Sequence, residues 1–361
     1  MSVLRALEQI RWPRIDPGAV ACAAVLALGL AGSAWAAAPL AANAAAPEEA
    51  SRVVAAPGAS QVSAPAEPPI QEVEVTGERP GPSLWRVSRG DHVAWLLGTL
   101  DPLPRRMTWR SRKVEDVVAH AQEVLASEPS VSGVGPITII RLYLQFRRTE
   151  KIPEKGRLQD WLSPALYARF TALRDRFDPH DRKIEELRPM LAARRLYERA
   201  LGASDLTSHN DIQSEVFKLA RRYSVPIEKP ALRLTDPRGI LTEAGEIPRS
   251  AEIDCLAATV ERLETDLDSM KARAGAWALG DVDALRRLPF PRQREVCTSA
   301  AASAPQIKAL LERLNAEWEV DLEAAIARNR TTLAMRPIYD LMGPNGTLAL
   351  LRTKGYTVEG P

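Results

Sequence analysis

The period of the apolar positions changes along the chain, and each change marks an element. Two short apolar runs at residues 84–87 and 93–97 flank Ser88, Arg89, Gly90 and Asp91, a turn composition, and predict a β-hairpin. Ser111 stands where a helix N-cap belongs, and Val114, Val117, Val118 and Ala121 follow at helical spacing, so a helix is expected over 112–121. Residues 124–126 then read as a short strand. Strand, helix, strand implies an α/β fold.

The centre of the chain turns helical. Ile139, Leu142, Tyr143 and Phe146 share one face, as do Leu166, Phe170 and Leu173, and then Leu191, Leu196 and Tyr197, while Arg and Glu fill opposite, solvated faces. A helix over 212–223 and a strand over 225–227 restore the alternation. Two long helices are expected at 253–279 and 306–328, the first striped by Leu256, Val260, Leu263, Leu267 and Met270, the second by Leu310, Leu314, Trp318 and Leu322. Such stripes predict helix-on-helix packing. Residues 348–352 end the last helix, Gly355 is placed to cap it, and 356–359 form a terminal strand. The whole is an α/β domain, a mixed sheet with many flanking helices.

The N-terminal region has a different pattern. Arg5, Arg11 and Arg14 precede an apolar run at 19–30, and Ala34, Trp35 and Ala36 supply small residues at the positions a signal peptidase recognises. Residues 1–36 are therefore expected to be a cleaved signal peptide, with export to the periplasm or medium. The apolar run is about a dozen residues, where a membrane span needs roughly 20. Cys22 begins the run, whereas a lipidated cysteine would follow it, and no other long apolar segment occurs, so no transmembrane span is expected after cleavage. Residues 37–80 hold 20 Ala or Pro and six Glu among 44, too little apolar surface to offset ordering, and read as a disordered linker. The domain is expected over 81–361.

Removing residues 1–36 takes away three Arg and two acids, Glu8 and Asp16, so the formal charge falls from +2 to +1. That balance argues against a nucleic-acid partner. Two cysteines remain, Cys255 and Cys297. A disulfide is the preferred reading for an exported protein, and it would stabilise the fold by about 3–4 kcal/mol. Two buried thiols, or metal ligands, are the alternatives, although no His lies within forty residues of either cysteine.

Three stretches together resemble the TraB/GumN (TraB/PrgY/GumN) family, which is related to the Tiki metalloproteases. The first is Leu84-Trp85-Arg86-Val87 with Leu96-Leu97-Gly98-Thr99-Leu100, Leu103-Pro104 and Trp109-Arg110-Ser111, running on to Glu128. The second is Arg328-Asn329-Arg330. The third spans 343–358, with Leu350-Leu351-Arg352, Gly355-Tyr356 and Val358. The resemblance implies a Tiki-like α/β fold and two Gly-x-x-His motifs which, with an acidic residue, hold the metal of a hydrolase. Such a metal would polarise a carbonyl and activate water.

This chain departs from that pattern at both histidines. The first motif reads Gly98-Thr99-Leu100-Asp101, and the second places Asp340 at the histidine position and Pro337 where the glycine belongs. The strand expected before the second motif reads as shortened or lost. If Asp101, Glu128 and Asp340 converge, they form an oxygen-only site suited to Mg²⁺, Ca²⁺ or Mn²⁺. The plainer reading has Asp101 in a turn before Pro102, Glu128 as a solvated loop carboxylate, and Asp340 capping a short helix, with no cofactor.

The other chemistry is sparse. His92, His120, His180 and His209 lack metal-ligand spacing, and His209 with Asp211 is at most a dyad. No phosphate-binding glycine loop or nucleophile elbow occurs. Arg105, Arg106, Arg110, Arg112 and Lys113 are either a solvated face or a patch for an anionic ligand or lipid headgroup. The resemblance with both imidazoles replaced implies a degenerate, pseudoenzyme-like member binding a small ligand, a peptide or an envelope partner. A metal-dependent hydrolase or peptidase with a rebuilt carboxylate site is one alternative, and a structural envelope-associated protein is another.

Overall fold

The computed structural model describes residues 81–361 except Thr108, Arg110, His209, Asn210, residues 289–291 and Pro344. The expected signal peptide and linker lie outside the described residues. The centre is a six-stranded mixed sheet in the order β10-β1-β2-β9-β4-β7. Its strands are β1 (Leu84–Arg89), β2 (His92–Thr99), β4 (Glu123–Leu125), β7 (Ile227–Glu228), β9 (Thr331–Pro337) and β10 (Thr357–Glu359). β2, β9, β4 and β7 run parallel, while β1 pairs antiparallel with both β2 and β10. The predicted α/β class, hairpin and terminal strand are all present. Two small ladders, β3 (Leu103–Pro104) with β6 (Leu206–Thr207) and β5 (Ser130–Ser132) with β8 (Ala231–Arg233), complete the strands described.

One expectation is overturned at the sheet centre. β9 is a full seven-residue strand, paired on both sides, where the sequence reads as a shortened or lost one. Thr332, Leu333, Ala334, Met335 and Arg336 are all buried, so neither face alternates with water and no period-two pattern is left to read.

Two hydrophobic cores share the molecule. One sits on the sheet and includes Leu96, Leu97, Val118, Val124, Trp277, Leu322 and Leu333, and the other lies among the helices around Phe170, Leu196, Leu256, Val260 and Ile307. Helix Pro305–Arg328 joins them. Ile307 and Leu310 belong to the helical core, whereas Trp318, Leu322 and Ile326 lie against the sheet, with Trp318 Nε1 donating to the Ala126 carbonyl at 3.0 Å. The second predicted stripe is thus half helix-on-helix and half helix-on-sheet.

The long helix expected at 253–279 is two helices, Arg249–Thr265 and Leu267–Ala278. They break at Asp266, whose carboxylate accepts from Arg262 Nε at 3.4 Å and from Arg273. The apolar register runs through the break, so the sequence gives no sign of it. The Arg and Glu faces are not uniformly solvated either: Arg174, Glu185, Arg188, Glu252, Arg262 and Arg273 are buried. Each finds a partner, as Arg174 does in Glu185 and Arg188 in Glu252 at 2.7 Å, because an unpaired charge there would be far costlier than the pair.

Cys255 and Cys297 are bonded, with S–S 1.99 Å, tying helix Arg249–Thr265 to helix Gln293–Ala301. At the last helix, Thr347–Thr353, Gly355 adopts φ +81°. Its N–H reaches the Arg352 carbonyl, and the Tyr356 N–H reaches Leu351, the Schellman pattern that glycine permits. Among the described residues no helix is long and apolar enough to cross a membrane.

Candidate functional site

The parallel strands β2 and β9 end side by side. Gly98 pairs with Arg336 and Thr99 with Pro337, so residues 100–102 and the helix Ile338–Met342 leave the sheet together at its carboxyl edge. Gly98 is fixed by packing on two sides. Its carbonyl accepts the Trp277 indole N–H at 2.7 Å, and a Cβ built on it would stand 3.0 Å from Ile338 Cγ1. Trp277 in turn meets Trp109 edge to face at 5.3 Å. Thr99 and Leu100 are buried, and Asp101, half-buried, is the first residue of the motif to reach the rim.

Several polar side chains gather around Asp101. Tyr339 donates its hydroxyl to the Asp101 carbonyl at 3.3 Å. Burial pushes the Tyr339 phenol up to about 12, and the Asp101 charge adds to the rise. Burial also raises the Tyr197 phenol, against the opposing pull of Arg262. Both phenols are therefore neutral donors near neutral pH. The Arg262 guanidinium lies 5.0 Å over the Tyr197 ring and donates to Gln293 Oε1 at 2.8 Å. Burial disfavours its charge, but Tyr197, Tyr339, Asp266 and Asp101 outweigh that and hold its pKa above the usual value. These residues come from four separate elements, and the sheet edge brings them to one place.

Asp340 is engaged differently. It is the third residue of helix Ile338–Met342, not its cap, and the N-cap position is Pro337, whose ring leaves no side-chain acceptor there. The Asp340 carboxylate receives Arg294 Nη2 at 3.3 Å on both oxygens and lies 4.0 Å from Arg336 Nε. Arg336 is buried, with its guanidinium 4.6 Å over Trp318 and Nη2 donating to Asn315 at 2.7 Å. Burial pulls its pKa down despite the help of Asp340. Glu128 lies in a bend past the end of β4 and is half-buried. Its neighbour Ser127 is held by Gln213, which accepts from the Ser127 hydroxyl at 2.9 Å.

These positions do not fit a metal ion. Among the described residues, no group of three or more His, Cys, Asp or Glu side chains is arranged to hold one. Tyr339 reaches the Asp101 carbonyl, and the Asp340 carboxylate is taken up by Arg294 with Arg336 4.0 Å away. The edge also holds three arginines, each already engaged within the protein, of which Arg294 is the exposed one.

The sequence model of the TraB/PrgY/gumN family matches residues 83–360. The chain belongs to the TraB/PrgY/gumN family. No curated protein matches it, and no solved structure does.

The other stretches that carry the family resemblance have structural work. Arg328 and Asn329 both donate to buried Glu123, Asn329 at 2.9 Å, and the Asn329 carbonyl meets His92 Nδ1 at 2.8 Å. This clamp sits at the amino edge of β2, β4 and β9, opposite the motif carboxylates. His120 bonds its own helix through the Asp116 carbonyl at 2.7 Å, and His209 lies outside the described residues. Of the basic cluster, Arg105 donates to the Leu206 carbonyl at 3.2 Å and Lys113 lies 5.6 Å over Trp95, while Arg106 and Arg112 are exposed and Arg110 lies outside the described residues.

Sequence reasoning missed Tyr197, Arg262, Arg273, Arg294 and Arg336. Tyr197 read as one more core position, and the arginines belong to no motif that would mark them. The one available sign was the spacing of Arg262 and Asp266 at i and i+4 on a helix whose Leu263 is buried.

Proposed function

We propose that this chain is an exported, non-hydrolytic member of the TraB/PrgY/gumN family that binds an anionic ligand, or an acidic group of an envelope partner, at the carboxyl edge of its sheet. The observation that carries this reading is the pairing of Asp340 with Arg294, beside the Arg262, Tyr197 and Tyr339 donors around Asp101. Where the family pattern has imidazoles, this chain has carboxylates, and Asp340 is already paired with Arg294, which makes it a poorer ligand for a divalent ion. The donors around them are phenols and guanidiniums. They orient a bound group without breaking a bond in it.

Elemental analysis of the purified protein, with hydrolase screening in Mn²⁺, Co²⁺ and Mg²⁺, tests the reading. We expect substoichiometric metal, no turnover, and a folded chain whose melting temperature rises with phosphate, dicarboxylates or acidic peptides. Arg294→Gln should reduce that rise. A stoichiometric ion released by Asp101→Ala or Glu128→Ala would replace this reading with a metal-dependent hydrolase. Export is checked separately: the N-terminus of the mature protein should be Ala37, and an intact Met1 in the envelope fraction would overturn it.

A further inference from the structure

Helix Pro136–Thr149 presents an apolar face to water. Among the described residues seven large hydrophobic side chains are exposed, and four of them are here: Ile137 (66%), Ile140 (57%), Tyr143 (50%) and Leu144 (52%). Their spacing places them on one face, while Ile139 and Leu142 on the other are buried. The inner side is anchored, for Gln145 donates to Thr242 at 3.0 Å. The exposure is therefore a property of a docked helix, and scattered single residues would not produce such a concentration.

The charged residues of the helix itself are all arginines. Residues 129–149 contain no acidic residue, and Arg141, Arg147 and Arg148 lie exposed on the helix. Arg147 is tied to Glu150 at 2.7 Å, whereas Arg141 and Arg148 make no ion pair among the described residues. On a helical projection Arg141 and Arg148 lie at one margin of this face, beyond Ile137, and Arg147 lies within it between Ile140 and Tyr143. An exposed apolar face bordered by Arg141 and Arg148, with long side chains that can extend to the headgroups, suits a helix lying in a bilayer interface, its apolar face among the acyl chains and its cations at anionic headgroups. A second copy fits poorly. A two-fold contact through this stripe would set Arg141 and Arg148 of one copy against the cations of the other.

We propose that helix Pro136–Thr149 is a peripheral membrane-docking element that holds the domain on an anionic lipid surface. The role is independent of the ligand-binding edge described above. Co-sedimentation of the full chain with phosphatidylglycerol/phosphatidylcholine vesicles, against phosphatidylcholine alone, tests it. Binding should require the anionic lipid and weaken with salt. Arg141→Gln and Arg148→Gln should each weaken it roughly fivefold, and Ile140→Asp with Leu144→Asp should abolish it. All four sites are exposed, so the melting temperature should hold, and comparison within one chain cancels any contribution of its N-terminal apolar run. No preference for anionic vesicles, undiminished binding by the double aspartate variant, or a solution dimer that this variant dissociates would each overturn the proposal. If the aspartate variant fails to fold, the arginine variants and the salt dependence decide alone.

Discussion

Replacing Gly98 by alanine should destabilise the protein by about 1–2 kcal/mol. The new methyl would stand 3.0, 3.1 and 3.2 Å from Ile338 Cγ1, Cβ and Cδ1, where carbon pairs settle at roughly 3.5–4.0 Å. Neither partner can easily give. β2 is paired on both sides and Ile338 is buried at the start of its helix, so the overlap must be relieved by moving that helix off the strand. Overpacking of this kind costs about 1–3 kcal/mol, and the lower chain entropy of alanine returns roughly 0.5–1 kcal/mol. Urea titration with linear extrapolation gives the difference. Ile338→Ala alone should cost about 2–5 kcal/mol, and in the double variant the two effects should sum to less than their total by at least about 0.5 kcal/mol, because the second removes what the first collides with. A Gly98→Ala protein as stable as the parent, or strict additivity with Ile338→Ala, would refute the argument that this glycine is required by packing.

Replacing both Cys255 and Cys297 by serine should lower stability by about 3–4 kcal/mol, since the bridge spans 42 positions, and a reductant should do the same to the parent; an unchanged melting temperature in either case would count against the bridge. Trp277→Phe should cost about 1–3 kcal/mol by leaving the buried Gly98 carbonyl without its donor, and a neutral result would mean water replaces the indole. Burial pushes Glu252 up to about 7 even with Arg188 against it, from 4.5 when unfolded. The folded state therefore binds the extra proton between those values, so this group's contribution is full below pH about 4.5 and is lost as pH rises through 7, by up to ~3 kcal/mol. Glu252→Gln should flatten that part of the stability–pH curve, and an identical slope in the variant would show that another group is responsible.

The elements that face water on one side were legible, and those that do not were not. Ser111 does accept from the Val114 N–H, the hairpin pairs in the expected place, and Gly355 caps the last helix, because each rests on local chemistry that the sequence states directly. β9 was lost because it is buried on both faces. The break at Asp266 was lost because it depends on Arg273, whose burial only the tertiary fold decides. The same divide runs through the site. Gly98, Asp101 and Asp340 could be found by their motif positions, but what surrounds them comes from Tyr197, Arg262 and Arg294, which stand on distant helices and look like ordinary stripe or surface residues. The partner of Asp340 was hidden for a tertiary reason, since Arg294 arrives from the helix Gln293–Ala301.

The central claim is that Asp340 is held by the protein's own Arg294 and that the carboxyl edge of the sheet does not assemble a metal site. Anomalous diffraction from crystals grown in Mn²⁺ tests it most directly. The account predicts no anomalous peak among Asp101, Glu128 and Asp340, and an intact Arg294–Asp340 pair in the same map. A peak with two or more of those carboxylates in its coordination sphere, and Arg294 turned away, would contradict it.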